Sequence, residues 1–152
     1  MTTLFKWLTA AFAVMLASSL VSMMAAFVGS HGVDLQDLLK LQAVLVPVSI
    51  AVVVWCFSLL VRQSGYGDAI RKFWRVLPGW LIFVVLAVNS LVLVAELSFV
   101  LIQYHTATLR PWQEHLPAAT ALFSSLALAT CYVCFRISAD RESERGHPPN
   151  LD

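Results

Sequence analysis

Residues 77–103 read LPGWLIFVVLAVNSLVLVAELSFVLIQ, 27 residues that carry one charged side chain, Glu96. A helix rises 1.5 Å per residue and a bilayer's hydrocarbon core is about 30 Å thick, so about 20 apolar residues suffice to cross it. This run exceeds that length. It is also too long, and too little alternating, for the strand of a membrane barrel. A helix satisfies its own backbone hydrogen bonds, which hydrocarbon demands. The stretch is therefore predicted to be a transmembrane helix.

Three more runs meet the same requirement, about 5–28, 41–61 and 116–135. The first follows Lys6 like a signal sequence, but its apolar run of about 22 residues is longer than the usual signal core. It is read as a retained helix. Composition agrees: 59% of the 152 residues are hydrophobic and 12% charged, with a mean hydropathy of +0.78. Soluble domains are about 45–50% apolar and about 25% charged. A water-soluble fold of this size has too little interior to hide the surplus. The expected fold class is all-α: a polytopic four-helix transmembrane bundle of up-down topology, covering residues 1–137, followed by a polar, loosely attached tail at 138–152.

Orientation follows from the basic residues. With the N-terminus inside, Lys6, Arg62, Arg71, Lys72, Arg75, Arg136, Arg141 and Arg145 are cytoplasmic, and only Lys40 and Arg110 lie outside. The positive-inside rule then places both termini in the cytoplasm, in an inner membrane of bacterial type. The net charge of +1 gives no reason to expect nucleic acid as a partner. The lipid bilayer and other membrane chains are the partners expected.

The connectors differ in kind. In GYGDAIRKFWR (65–75), Gly65 and Gly67 mark a turn. Beyond it Ile70, Phe73, Trp74 and Leu77 recur at helical spacing, with Arg71, Lys72 and Arg75 off that stripe. The pattern predicts an amphipathic interfacial segment over about 68–76, anchored by Arg71, Lys72, Trp74, Arg75 and Trp80. In GSHGVDLQDLLK (29–40), Asp34 is placed to cap a short helix leading into the second span.

Small residues recur at four-residue spacing in two spans: Ser18, Ser22 and Ala26 in the first, and Ala121, Ser125 and Ala129 in the fourth. Such faces let helix backbones approach closely in lipid. The first and fourth spans are expected to be neighbours, or to offer a face to another subunit.

Glu96 carries the most information. An ionised side chain near the middle of a span costs at least about 2.5–3.5 kcal/mol. No Lys or Arg lies at comparable depth, so Glu96 is expected to be protonated, to hydrogen-bond to Ser, Thr or Asn, or to meet a charge on another chain. Asn89, Glu96 and Gln103 are seven apart and form a polar stripe on one helix face. Such a stripe faces protein or water rather than lipid.

Two further groups are weaker candidates. His31, His105, His115 and Glu114 lie in or beside the outer loops and could converge on zinc or copper, but no pair has a metal-binding spacing. Cys131 and Cys134 form a C-x-x-C in TCYVCFR (130–136), near the inner end of the fourth span, where packing is the expected role. No cofactor is expected. No phosphate loop, zinc-protease motif or nucleophile elbow is present in the sequence.

The function expected is that of a small interaction protein, an accessory, assembly or immunity-type subunit of a membrane complex. The alternative is an oligomeric proton- or cation-coupled transporter or channel using Glu96. A membrane redox or metal-binding subunit is the third reading.

Overall fold

The computed structural model describes residues 1–28, 35–106 and 115–146. Among them are five helices: α1 (Thr2–Val28), α2 (Leu35–Ser64), α3 (Tyr66–Val76), α4 (Gly79–Thr106) and α5 (Leu116–Gly146). Four of these, α1, α2, α4 and α5, are long and apolar enough to cross a membrane. They are apolar around most of their circumference, as helices are that meet neither water nor a single core. The short α3 differs in being amphipathic, as its sequence pattern predicts.

The four long helices are not equivalent. In the apolar stretch of α5, 67% of residues are buried, against 28%, 17% and 22% in α1, α2 and α4. The last helix is therefore the hub, and α1, α2 and α4 each pack on it. Its composition explains why. Ala118, Thr120, Ala121, Ser124, Ser125, Ala127, Ala129 and Cys131 are buried on several sides of the helix. Side chains this small let several backbones approach one axis, the main way helices gain packing energy where lipid removes the hydrophobic drive. Hydroxyls on the hub bond back to its own carbonyls: Thr120 Oγ1 donates to Leu116 O at 2.7 Å, and Ser125 Oγ to Leu122 O at 2.8 Å.

Each outer helix presents a narrow seam inward. On α1 the seam is Phe5, Phe12, Leu16, Ser19 and Met23. On α4 it is Leu81, Val88, Val92 and Ala95, and on α2 Gln42, Ser49 and Cys56 at seven-residue steps. The alternation of three- and four-residue steps keeps each seam on one side. The large apolar residues left exposed, such as Val14, Val54, Phe83, Leu86, Leu93 and Leu97, cover the outside.

Several contacts record which helix ends lie together. Thr2 Oγ1 donates to Glu142 Oε1, joining the start of α1 to the end of α5. Phe5 stacks on Trp55 with ring centroids 5.8 Å apart, and Gln42 Nε2 donates to Ser22 Oγ at 3.2 Å, both between α1 and α2. Trp80 at the start of α4 meets Tyr132 of α5 edge-on at 6.2 Å.

Two corners set the path of α3. Gly65 has φ 74° and ψ 160°, and its N–H donates to Val61 O while its carbonyl accepts from Ala69 N–H. It thus ends α2 and opens α3 in a backbone conformation that strongly favours glycine. Gly67, read from the sequence as part of the same turn, already lies inside α3. At the other end Leu77 is extended, as a residue before proline prefers to be, and Pro78 O accepts the first amide bonds of α4.

Several element boundaries differ from the sequence reading, most of all in α2, α4 and α5. The segment before the second span is continuous with it, so α2 starts at Leu35, while Asp34 lies outside the described residues. The helix of the third apolar run, α4, starts at Gly79 rather than Leu77 and runs to Thr106. The fourth apolar run ends at Phe135, but α5 continues to Gly146 through ISADRESERG. Hydropathy marks where hydrocarbon solvates a helix, not where the helix ends. Ala139, Arg141 and Glu142 are good helix formers in water.

Candidate functional site

Glu96 follows Ala95 of the α4 seam directly, so it stands on the flank of the groove between α4 and α5. His115 immediately precedes the first residue of α5. Nδ1 of His115 lies 2.6 Å from Oε2 of Glu96. The His115 side chain is 36% exposed and that of Glu96 30%. The length is that of a strong hydrogen bond. Either an imidazole N–H donates to the carboxylate or a protonated carboxyl donates to the imidazole, and in both forms one proton sits between the two groups. The partner within the chain is thus a histidine at the start of α5, not the Ser, Thr or Asn expected, while a protonated Glu96 remains one of the two forms.

The rest of the polar stripe is distributed along the same flank. Asn89 is half-buried, and its Nδ2 donates to Val85 O of its own helix at 2.8 Å. Seven residues separate it from Glu96, about 10 Å along the axis. The Gln103 side chain lies outside the described residues. Inward of Asn89, residues 79–88 (GWLIFVVLAV) supply no polar side chain but that of Trp80.

The other flank of the α4 seam is apolar. There a cavity of about 250 Å³ opens between α1 and α4, lined by Leu20, Met23, Met24, Leu91, Val94, Ala95 and Ser98. Ser98 Oγ is turned back to Val94 O at 2.8 Å. Helical geometry puts this cavity and the Asn89–Glu96 stripe on opposite sides of the seam, so the cavity does not serve the carboxyl group.

The small-residue faces fall as follows. Ser22, Ala121, Ser125 and Ala129 are buried, and α1 packs along α5. Ser18 is exposed, however, and the seam passes through Ser19 instead. Ser18 contributes only its carbonyl, which accepts from Ser22 Oγ at 2.8 Å. The side chain of Ala26 lies outside the described residues. Among the five residues read as interfacial anchors, Trp74 and Trp80 are 60% and 61% exposed, and Arg71, Lys72 and Arg75 are exposed as well. Lys72 Nζ donates to Ser64 Oγ at 2.8 Å, tying α3 to the end of α2. The inward face of α3 is Ala69, Phe73, Val76 and Leu77, so Trp74 lies off it.

For metal, His115 is the one described member of the histidine group, since His31, Glu114 and the His105 side chain lie outside the described residues. Among the described residues no group of three or more His, Cys, Asp or Glu side chains could hold an ion. Cys131 and Cys134 are buried on α5, where Cys56 of α2 joins them. Sequence reading missed both convergences, His115 with Glu96 and Cys56 with Cys131, because each joins residues far apart in the chain.

The features in hand define a class: an all-helical chain with four helices of membrane-crossing length and apolarity, a small-residue hub, and one acidic residue paired to a histidine at a helix start. Comparison with protein-family models, with curated proteins and with solved structures finds no match to this chain.

Proposed function

We propose that the chain is an integral membrane protein of four up-and-down crossings, with both termini cytoplasmic, in a bacterial inner membrane. The contacts of Thr2 with Glu142, Phe5 with Trp55, Glu96 with His115, and Trp80 with Tyr132 support the alternation of direction. The excess of Lys and Arg on one side supports the orientation.

Within that membrane its role is to dock another membrane chain, as an accessory, assembly or immunity-type subunit. One observation carries this reading: the Asn89–Glu96 stripe is half-exposed on the flank of an apolar stretch, Gly79–Ser98, in which only 22% of residues are buried. Polar groups left open to hydrocarbon are costly, so a stripe of this kind favours a covering protein surface. The test is the native mass of the complex after gentle extraction, with every co-purifying chain identified. A stoichiometric second protein, lost on Glu96→Leu but kept on Glu96→Gln, is the expected result. A bare monomer whose fold is unaffected by either change would remove the proposal.

The Glu96–His115 hydrogen bond favours a second reading, in which a small oligomeric transporter or channel uses the pair as a proton-holding site. It expects proton-coupled flux in vesicles that Glu96→Gln abolishes. Equal flux in the variant would exclude it. The absence of polar side chains along residues 81–88 is why this reading ranks second.

A further inference from the structure

All three cysteines of the chain meet at one place inside the bundle. Cys56 belongs to the α2 seam, and Cys131 and Cys134 lie on α5. The sulfurs of Cys56 and Cys131 are 3.9 Å apart, and Cys134 Sγ donates to the Cys56 carbonyl at 3.7 Å. Cys56 and Cys131 are fully buried, Cys134 is 4% exposed, and all three are free thiols. Close helix packing at this level asks only for small side chains, and alanine or serine fills that need elsewhere on α5. It gives no reason for three thiols to come together from two helices.

The cluster also has an opening. Cys134 lines a cavity of about 30 Å³ together with Phe5, Leu60, Gln63 and Ser138. A space of that size holds a water or a similarly small polar molecule, and Gln63 and Ser138 offer it polar partners. The cavity lies beside the end of α2 and the start of α1, some 15 or more residues along α5 from His115, hence more than about 20 Å from the Glu96 pair.

We propose that Cys56, Cys131 and Cys134 form a thiol site that reduces a small peroxide and closes a disulfide between α2 and α5. Cys134, the thiol on the cavity, attacks the O–O bond of hydrogen peroxide. It becomes a sulfenic acid, and the second oxygen leaves as water after taking the thiol proton. The Cys56 thiol then displaces the sulfenic hydroxyl as a second water, forming a Cys56–Cys134 disulfide. Attack by Cys131 on the Cys56 sulfur moves the bond to Cys56–Cys131 and returns the proton to Cys134. Two thiols and one peroxide give one disulfide and two waters, the peroxide being the oxidant throughout. Disulfide bonding brings sulfurs to about 2.05 Å, so closure asks the Cys56 and Cys131 side chains to approach by about 2 Å.

The test treats the full chain, folded in vesicles, with hydrogen peroxide and maps disulfides by mass spectrometry of its peptides. The expected result is loss of two hydrogens per chain, a peptide of α2 joined to one of α5 within a monomer, and one thiol left free. Cys56→Ser is expected to lose that link, and Cys134→Ser to form it at least about tenfold more slowly, since access of the attacking thiol sets the rate. Three unreacted native thiols in a Ser143→Cys variant whose exposed new thiol is oxidised by the same treatment would overturn the proposal. So would a link that forms only after unfolding in detergent, or only between chains. Oxidation of Cys134→Ser at the wild-type rate would overturn Cys134 as the point of attack.

Discussion

His115 Nδ1 lies 2.6 Å from Glu96 Oε2, so the residue that opens α5 holds the one charged side chain in the apolar run of α4. Hydrogen bonds between membrane helices are worth about 0.6 kcal/mol on average and up to about 1.7 kcal/mol. A double-mutant cycle on Glu96→Ala and His115→Ala is expected to give a coupling energy toward the upper part of that range, because the contact is short. Reversible unfolding in mixed micelles measures it. Strict additivity of the two single changes would mean that the pair does not hold α4 to α5.

Ala121 is fully buried in the hub helix, where α5 is closely surrounded. Ala121→Leu inserts three carbons into a filled space and is expected to destabilise the bundle by about 1–3 kcal/mol. Leu126 is 37% exposed on the same helix, and Leu126→Ala is expected to cost clearly less. Thermal unfolding of the two variants side by side checks the contrast. An equal loss would argue against α5 as the centre of packing.

Gly65 and Gly67 stand two residues apart and respond oppositely to alanine. At Gly65 the φ of 74° opposes a side chain although the space around it is open. Gly65→Ala is expected to cost about 1 kcal/mol. Gly67 lies within α3 with no atom near its added methyl, so Gly67→Ala is expected to be neutral or to stabilise by up to about 1 kcal/mol. Denaturant unfolding distinguishes the two, and the same sign for both would contradict the corner described at Gly65.

The proposed orientation has a simple readout. A reporter that is active only outside the cytoplasm, fused after Asp152, is expected to be silent, and the same reporter placed in the 29–34 connector is expected to be active. Activity at Asp152 would reverse the assignment of both termini.

Much of this architecture can be read from the residues. Four runs such as 77–103 announce their length and apolarity in one dimension, which is all that crossing hydrocarbon requires. The spacing of Arg71, Lys72 and Arg75 around Phe73 likewise announces α3. What cannot be read is which helix is central. In a chain that is apolar on every side, the contrast between inward and outward residues, which reveals a soluble core, is nearly absent. Ser18 and Ser19 differ in burial and hardly at all in character. Pairings over distance are hidden for a related reason. His115 looks like a loop residue until the flank of α4 is placed beside it, and Cys56 looks like packing until α5 brings two more thiols. The length of α5 was obscured by the polar residues that begin at Arg136, which interrupt apolarity but not helicity.

The hub is also, among the described residues, the last of the four long helices in chain order, so it is synthesised after the three that pack on it. While the ribosome is still making α4, the inward seams of α1 and α2 have no central partner, and Ser49 and Cys56 lack the helix that packs against their seam. Assembly therefore waits on translation of residues 116–146. On the membrane placement proposed above, a nascent chain stalled before that point should hold three long helices without their common partner, open to quality-control proteases or to capture by another chain. Packing of the four long helices is then completed by α5 rather than accreting gradually from α1.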